Sequence, residues 1–244
     1  MHVLIVHAHP EQQSFNGALT REAVQTLKGR GHTVEVSDLY AMKFKAIADA
    51  DDYVEREDPT YLRIDREQTH AHRLAAVAAD VRTEQDKLTR ADLLILQYPM
   101  WWFGMPAILK GWADRVFTRG YAYLPGRKYD TGMLRGKLAM LSVTTGTSAD
   151  TYQPDGVDGA LLDILWPIHN GLLRYSGLDV ITPFVTHMPG KITAEDRHRA
   201  LTNYADRLRS LESVPRLFFH PADDYGPDER LRPGVEACSG FQHN

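Results

Sequence analysis

The sequence contains a single cysteine, Cys238, among its 244 residues. A disulfide within the chain is therefore impossible, and a zinc site built on cysteine is not expected. No apolar run approaches the roughly 18 residues that a membrane helix requires, and the apolar start is too short for a signal-peptide core. We therefore expect a reducing, cytoplasmic setting and no membrane insertion.

An excess of charge of one sign is also lacking. The 28 Lys and Arg residues stand against 32 Asp and Glu residues, which gives a formal net charge of −4 and a pI of about 6.2. Nucleic-acid binding needs a basic footprint, so we expect no nucleic-acid partner. His7 and His9 have no acidic residue or third histidine at a diagnostic spacing, so we expect no metal site.

What the sequence does have is an alternation of short apolar runs with helical patterns. Strands are predicted at residues 3–6, 33–37, 93–97, 138–143 and 180–185. Helices are predicted at about 14–28, 73–89, 105–118, 159–175 (interrupted or bent around Pro167) and 193–210, the last opened by a capping box of Thr193 and Asp196.

This alternation predicts an α/β fold with a doubly wound parallel sheet and helices on both faces. We expect one domain over residues 1–212, with an irregular insertion at about 38–75, and a C-terminal tail over 213–244. Ligands in such sheets bind at the carboxyl ends of the strands, so the chemistry should lie just after residues 6, 97 and 143.

The first of these loops runs from His7 to Asn16 and leads into a helix. A helix N-terminus presents unpaired N–H groups and partial positive charge, and Ser14 and Asn16 add neutral donors, so a phosphate could bind here without a lysine. The glycine fingerprints of dinucleotide folds are missing from this loop. A capped helix with two loop histidines explains the segment equally well.

The second loop, at residues 97–106, places Trp101, Trp102 and Phe103 where a loop should be polar. One interpretation is a hydrophobic plug or an oligomer interface, where aromatic residues are common. The other is a rigid loop beside a flat ring, with backbone N–H groups near Phe103 and Gly104 bound to ring heteroatoms. The position at a strand end favours the ligand, and both hold if the site lies at a dimer interface.

The third loop, Thr144 to Ser148, has small hydroxyl residues around Gly146, which let the backbone approach a ring closely, although a plain turn has the same composition. Tyr152 follows with a phenol donor. Together the three loops indicate a planar aromatic ligand with a phosphate tail, which fits a flavin. A flavin carries its own redox chemistry, and the protein orients it and tunes the charge around it.

Five segments of the chain match one family. They are His9 with Ser14–Asn16, Ser37–Met42, Trp102–Gly104 with Pro106–Trp112, Thr144–Gly146, and Ile164–Ile168. Over most of residues 3–200 the sequence resembles the FAD-dependent NAD(P)H:quinone oxidoreductases of the DT-diaphorase type. The resemblance implies a flavodoxin-like five-stranded sheet in the order 2-1-3-4-5, a homodimer, and ping-pong hydride transfer from NADPH or NADH through the flavin to a quinone-like acceptor.

The resemblance also implies roles for individual residues. His9, Phe15 and Asn16 would meet the FAD pyrophosphate, and Asp114 and Arg197 the adenosine end. The isoalloxazine would be lined by Pro99, Met100, Trp101, Trp102, Phe103, Thr144, Thr145 and Gly146, with Thr147 also counted as cofactor-binding. Tyr152 would stabilise charge after reduction. The substrate pocket would use Trp102, Phe103 and Tyr175, together with Tyr123 of the partner subunit.

Four positions depart from the family pattern. Asp158 stands where mammalian members have the histidine that accompanies Tyr152, and an ionised Asp158 would oppose negative charge on the reduced ring. Trp101 replaces a pocket glutamine, Pro125 replaces a second pocket tyrosine, and Asp114 replaces a glutamate. Trp101 and Pro125 leave the substrate preference open, and the shorter, divergent tail after residue 215 leaves FMN open beside FAD.

Two other classes of function remain open from the sequence. One is a regulatory flavoprotein subunit of a membrane transporter, because related quinone reductases resemble ancillary partners of potassium-efflux systems. The other is a flavodoxin-like electron carrier, although such carriers are usually shorter and need no aromatic substrate pocket.

Overall fold

A central parallel sheet organises the computed structural model, which describes residues 1–237 and therefore not Cys238. Its strands are β1 (His2–His7), β2 (Thr33–Asp38), β3 (Leu93–Pro99), β4 (Leu138–Thr145), β5 (Asp179–Val180) and β6 (Phe184–His187). The order is β2-β1-β3-β4-β5, with every pairing parallel. The predicted fold class and strand order are confirmed.

The fifth position of the sheet differs from the prediction of one continuous strand at 180–185. Two short strands, β5 and β6, succeed each other beside β4, with Leu138 opposite Asp179 and Ser142 opposite Phe184. Pro183 has no N–H to donate at the break. The N–H of Thr182 instead donates to Pro215 O (2.9 Å), so the tail pairs with the sheet edge at the interruption.

Helices cover both faces of the sheet: α1 (Phe15–Gly29), α2 (Ile64–Leu74), α3 (Ala79–Arg90), α4 (Ala107–Val116), α5 (Leu161–Ile168) and α6 (Ala194–Arg209). One buried cluster joins α1 and α6 to one face of the sheet, and another joins α3, α4 and α5 to the opposite face. The capping box at the start of α6 is confirmed, because Asp196 N–H donates to Thr193 Oγ1 (3.1 Å). Within residues 1–237 no helix is both long and apolar enough to cross a membrane.

The insertion at 38–75 is more regular than predicted, because it contains α2. The predicted helix at 73–89 is also wrong at its start, since Ala75 is left-handed (φ 54°) and separates α2 from α3. The apolar periodicity of the sequence did not predict α2, because the buried face of this helix is mostly polar and consists of Glu67, Gln68 and Ala71. Glu67 accepts hydrogen bonds from the N–H groups of Glu57 (2.8 Å) and Asp58 (3.2 Å), which ties the insertion together.

Arg115 on α4 anchors the insertion to the sheet domain. Its side chain is buried, and Nε donates to Asp52 Oδ1 (2.9 Å) in the insertion. One Nη also donates to Asp80 Oδ2 (2.6 Å) and to Lys45 O (2.9 Å). These bonds join α4 and α3 to the insertion through one guanidinium.

The predicted interruption near Pro167 is confirmed. Helix α5 ends at Ile168 and continues as a π-helical turn over His169–Arg174, which delivers Tyr175 to the surface beside the 129–131 turn. Pro167 cannot donate the hydrogen bond that an α-helix requires at that position, so the backbone widens after it. His169 is buried in this turn, and burial lowers its pKa to about 4.

Candidate functional site

A cavity of about 650 Å³ opens at the carboxyl edge of the sheet, between the N-termini of α1 and α6. Six of the predicted cofactor-binding residues line it: His9, Phe15, Asn16, Pro99, Thr144 and Arg197. The lining also includes Pro189, Gly190 and His198, which sequence reasoning did not single out. The first two follow β6 directly, so the rule that ligands bind after strand ends could have located them.

The first turn of α1 is arranged to leave N–H groups for a ligand. Ser14 caps the helix by accepting from Gly17 N–H (3.1 Å), and the first turn holds no acidic residue. The side chain of Asn16 is buried and occupied, since its amide donates to Thr144 Oγ1 (2.9 Å) and accepts from Gln97 Nε2 (2.8 Å). Any contact of Asn16 with an anion is therefore made by its backbone N–H, at the positive end of the helix.

His9 and Arg197 place donors at the rim of the same cavity. The Glu11 N–H donates to His9 Nδ1 (3.0 Å), which assigns the ring hydrogen to Nε2 and makes that atom a donor. Arg197 is held by a hydrogen bond to Ile192 O (2.7 Å). The α1 N-terminus and the Arg197 guanidinium make the cavity suited to an anion, whereas the first turn of α6 carries Glu195 and Asp196, which offset the positive end of that helix.

The aromatic loop after β3 forms a tight, strained turn. Trp101 N–H donates to Gly104 O (3.1 Å) and Gly104 N–H donates to Trp101 O (3.0 Å), so the Gly104 N–H already has a partner inside the turn. Trp102 and Phe103 are both left-handed (φ 50° and 58°), which costs about 1–2 kcal/mol for a residue with a side chain.

This strain holds large apolar side chains in solvent. Trp102 is 99% exposed and Phe103 is 51% exposed. Met100 N–H donates to Thr144 O (2.9 Å), which fixes the start of the turn against the third loop. A strained turn that displays aromatic rings beside a strand end points to a functional surface.

The third loop and the Tyr152 turn form one hydrogen-bonded unit. Thr147 Oγ1 donates to Asp158 Oδ2 (3.2 Å), and Asp158 N–H donates to Thr151 O (2.9 Å), so Asp158 closes the loop that carries Tyr152. A Cβ built on Gly146 would meet no atom within 4 Å, and its φ is ordinary. Neither the backbone conformation nor the neighbouring atoms of the chain therefore require glycine at this exposed position.

His187 is a member of this unit that the sequence did not reveal. It ends β6 directly opposite Thr145, and its Nδ1 lies 2.8 Å from Thr145 Oγ1. Its ring lies beside that of Tyr152, with centroids 5.7 Å apart. Sequence reasoning could have found it from its position two residues after the predicted fifth strand, because ligands bind at the carboxyl ends of strands.

Tyr123 and Tyr175 form one aromatic wall of the same chain. Their ring centroids are 5.3 Å apart, and Tyr129 also contacts Tyr175 at 5.2 Å. Because these rings are in contact within one chain, a substrate pocket that takes Tyr123 from the partner subunit would take Tyr175 from that subunit as well. The predicted pocket, with Tyr175 from one subunit and Tyr123 from the other, does not fit this contact. Tyr129 also lines a separate cavity of about 480 Å³ beneath the C-terminal tail.

Asp114 is not among the residues that line the 650 Å³ cavity. It lies on α4, where its carboxylate binds Lys110 Nζ at 2.6 Å and 2.7 Å. Its predicted role at the adenosine end therefore has no support from the geometry of the single chain.

The strand order and a crevice at the carboxyl edge of the sheet define an open doubly wound α/β protein. The chain matches the family described as "Flavodoxin-like fold" over residues 1–210. It is 44% identical over 211 residues to the mouse (Mus musculus) protein named "Ribosyldihydronicotinamide dehydrogenase [quinone]", covering 86% of this chain and 91% of that protein. It is 41% identical over 220 residues to "NAD(P)H dehydrogenase [quinone] 1" of Cavia porcellus, covering 90% and 80% of the two chains.

A solved structure from Klebsiella pneumoniae, assigned as a quinone reductase, is also similar. It superposes with a TM-score of 0.92 at 41% identity, covering 96% of this chain and 94% of that one. The chain therefore belongs to the flavodoxin-like family of NAD(P)H:quinone oxidoreductases and is an enzyme of that type. The predicted family and enzyme class are confirmed.

Proposed function

We propose that the protein binds FAD and transfers two electrons as hydride from NADPH or NADH to quinones or similar electron-poor aromatics. A bound flavin supplies the electron-transfer chemistry itself. The observation that carries the proposal is the cavity at the carboxyl edge of the sheet, which joins two helix N-termini and Arg197 to the ends of β3 and β4. We expect a ping-pong rate law, in which the two substrates bind and react alternately.

The residues of the cavity fit a flavin in two ways. The α1 N-terminus, His9 Nε2 and Arg197 offer donors suited to phosphate groups. Beyond Thr144, the open space above Gly146 and the exposed rings of Trp102 and Phe103 suit a flat aromatic group. The Arg197 guanidinium, in addition to the α1 N-terminus, supports a pyrophosphate over a single phosphate, and for that reason we favour FAD over FMN.

Purification and chromatography of the released cofactor test this proposal. The protein should be yellow and release FAD on denaturation. Initial rates with NAD(P)H and a quinone varied together should give parallel double-reciprocal lines. A colourless protein that binds neither added FAD nor added FMN would contradict the cofactor, and intersecting lines would contradict the ping-pong order.

Replacing Gly146 with alanine should weaken flavin binding about 10-fold to 100-fold, as expected when an added methyl crowds a close contact. The stability of the flavin-free protein should not fall, because a Cβ there meets open space at an ordinary φ. Flavin fluorescence quenching measures the dissociation constant, and urea unfolding measures the stability. Gly29→Ala is the matched control, since it also meets no atom within 4 Å but lies at the far end of α1; equal affinities for the two variants would contradict the site.

Replacing Asp158 with histidine should raise the rate of flavin reduction by NAD(P)H about threefold to tenfold. The carboxylate accepts a hydrogen bond from Thr147, and the backbone N–H of Asp158 closes the Tyr152 loop, so the negative charge lies where the family resemblance expects a histidine. Asp158→Asn removes the charge without adding a ring and should give part of the gain. Stopped-flow absorbance follows the step, and an unchanged or slower rate in both variants would remove Asp158 from this role.

We also propose that the active form is a homodimer in the cytoplasm. Large apolar side chains are exposed at Trp102 (99%) and Val157 (91%), which supports a covered face in the working enzyme. A single cysteine supports a reducing compartment. Sedimentation should give twice the 27.6 kDa chain mass, and a monomer with full activity would contradict the dimer.

A further inference from the structure

His187 occupies a defined place between two elements of the candidate site. It ends β6, it is half-buried, and its backbone lies opposite Thr145 in the β4–β6 ladder. Its ring lies beside the buried ring of Tyr152 with a 32° angle between the planes. One imidazole therefore contacts both the third loop and the phenol.

The hydrogen bonds assign the tautomer of this ring. Thr145 Oγ1 donates its single hydrogen to Thr147 O (2.9 Å). With that hydroxyl hydrogen assigned to Thr147 O, the contact of 2.8 Å between Thr145 Oγ1 and His187 Nδ1 assigns a hydrogen to Nδ1, which donates it. Burial lowers the pKa of His187 below its ordinary value of 6.5, against the opposing effect of a hydrogen bond to the Thr147 backbone, so the neutral ring is favoured at neutral pH.

This arrangement fixes the shape of the surface that the chain presents. Donation from Nδ1 holds the Thr145 hydroxyl against the Thr147 carbonyl, which sets the turn around Gly146. The same ring supports one side of Tyr152. Asp158, by contrast, is bonded to Thr147 and has no ring with which to support the phenol.

We propose that His187 is a positioning residue for flavin binding and reduction, holding the Thr144–Thr147 turn by its Nδ1 hydrogen bond and the Tyr152 phenol by ring packing. The inference rests on the proposed function, since the turn and the phenol are the surfaces assigned to the flavin. It gives the site a histidine next to Tyr152 at the end of β6, whereas Asp158 lies in a turn outside the strands.

Three substitutions separate the two contacts. His187→Phe keeps a ring beside Tyr152 and loses the hydrogen bond, whereas His187→Asn keeps a donor near the Nδ1 position and loses the ring. His187→Ala loses both. We expect His187→Ala to weaken FAD binding about threefold to tenfold, the range that corresponds to loss of one hydrogen bond, with His187→Phe and His187→Asn in between.

The redox readout distinguishes positioning from a general loss of folding. If the reduced form loses affinity about threefold to tenfold more than the oxidised form, the two-electron midpoint potential of His187→Ala falls by about 15–30 mV. Urea unfolding of the three variants controls for stability, and His32→Ala, which lies outside the site, should change neither affinity nor potential. A His187→Ala variant within twofold of the wild type in affinity and with the same potential would overturn the inference.

Nitrogen NMR of the flavin-free protein tests the contacts without the cofactor. The His187 ring should show a protonated Nδ1 and an unprotonated Nε2, and His187→Ala should shift the Tyr152 ring resonances. The opposite tautomer with unmoved Tyr152 resonances would overturn the inference even if FAD binds normally. A wild type that shows the predicted tautomer but binds no flavin would instead contradict the proposed function alone.

Discussion

Replacing Arg115 with methionine should lower the free energy of unfolding by about 3–5 kcal/mol, the cost of leaving a buried carboxylate without its hydrogen-bonded partner, since Lys45 Nζ lies 3.6 Å from Asp52 Oδ1, beyond hydrogen-bond distance. Asp52 is 5% exposed and the Arg115 side chain is 1% exposed. Arg115 Nε donates to Asp52 Oδ1 at 2.9 Å. Asp80, the other carboxylate bound to Arg115, is 42% exposed at its side chain and can be hydrated instead. Urea unfolding followed by tryptophan fluorescence measures the loss.

Two further variants make this prediction specific. Lys110→Met breaks an ion pair on the same helix, with side chains 59% and 48% exposed, and should cost less than about 1 kcal/mol. The double variant Asp52→Asn with Arg115→Met should recover part of the loss, because it removes the buried charge as well as its partner. If Arg115→Met costs no more than Lys110→Met, the guanidinium does not anchor the insertion.

The sheet could be predicted because its strands are coded locally. Leu93–Gln97 and Leu138–Val143 are apolar runs that a sheet covered on both faces requires, and both are strands in the structure. Helix α2 could not be predicted by the same means, because Glu67 and Gln68 face inward and are satisfied by groups from Glu57, Asp58 and Arg119. These partners lie outside the helix, and a buried face made of polar residues leaves no apolar period in the sequence.

The candidate site could likewise be predicted only in part from the sequence. The three loops were predicted because each follows a strand, and the structure brings His9, Pro99 and Thr144 to one cavity. The left-handed turn at Trp102 and Phe103 could not be predicted, because residues with side chains rarely adopt it. His187 was missed for a different reason: its partners Thr145 and Tyr152 are more than 30 residues away in sequence, and only strand pairing aligns them.

Acidification should destabilise the protein through His169, by about 3 kcal/mol between pH 7.5 and pH 4. Burial lowers the pKa of His169 to about 4, whereas the unfolded chain has the ordinary value of 6.5. The unfolded state therefore takes up a proton first as the pH falls. The stability due to the neutral ring is fully present well above pH 6.5, is lost progressively as the pH falls from 6.5 to about 4, and does not change further in stronger acid.

The wild type and His169→Phe, compared by urea unfolding at several pH values, isolate this contribution from that of the carboxylates. The difference between the two proteins should change by about 3 kcal/mol across this range, in favour of the variant in acid. The π-helical turn carries His169 at its start and Tyr175 just after its end. Protonation of His169 in the folded protein, near pH 4, should therefore also loosen the ring contact of Tyr175 with Tyr123. A difference that does not vary with pH would show that His169 titrates alike in the folded and unfolded chain.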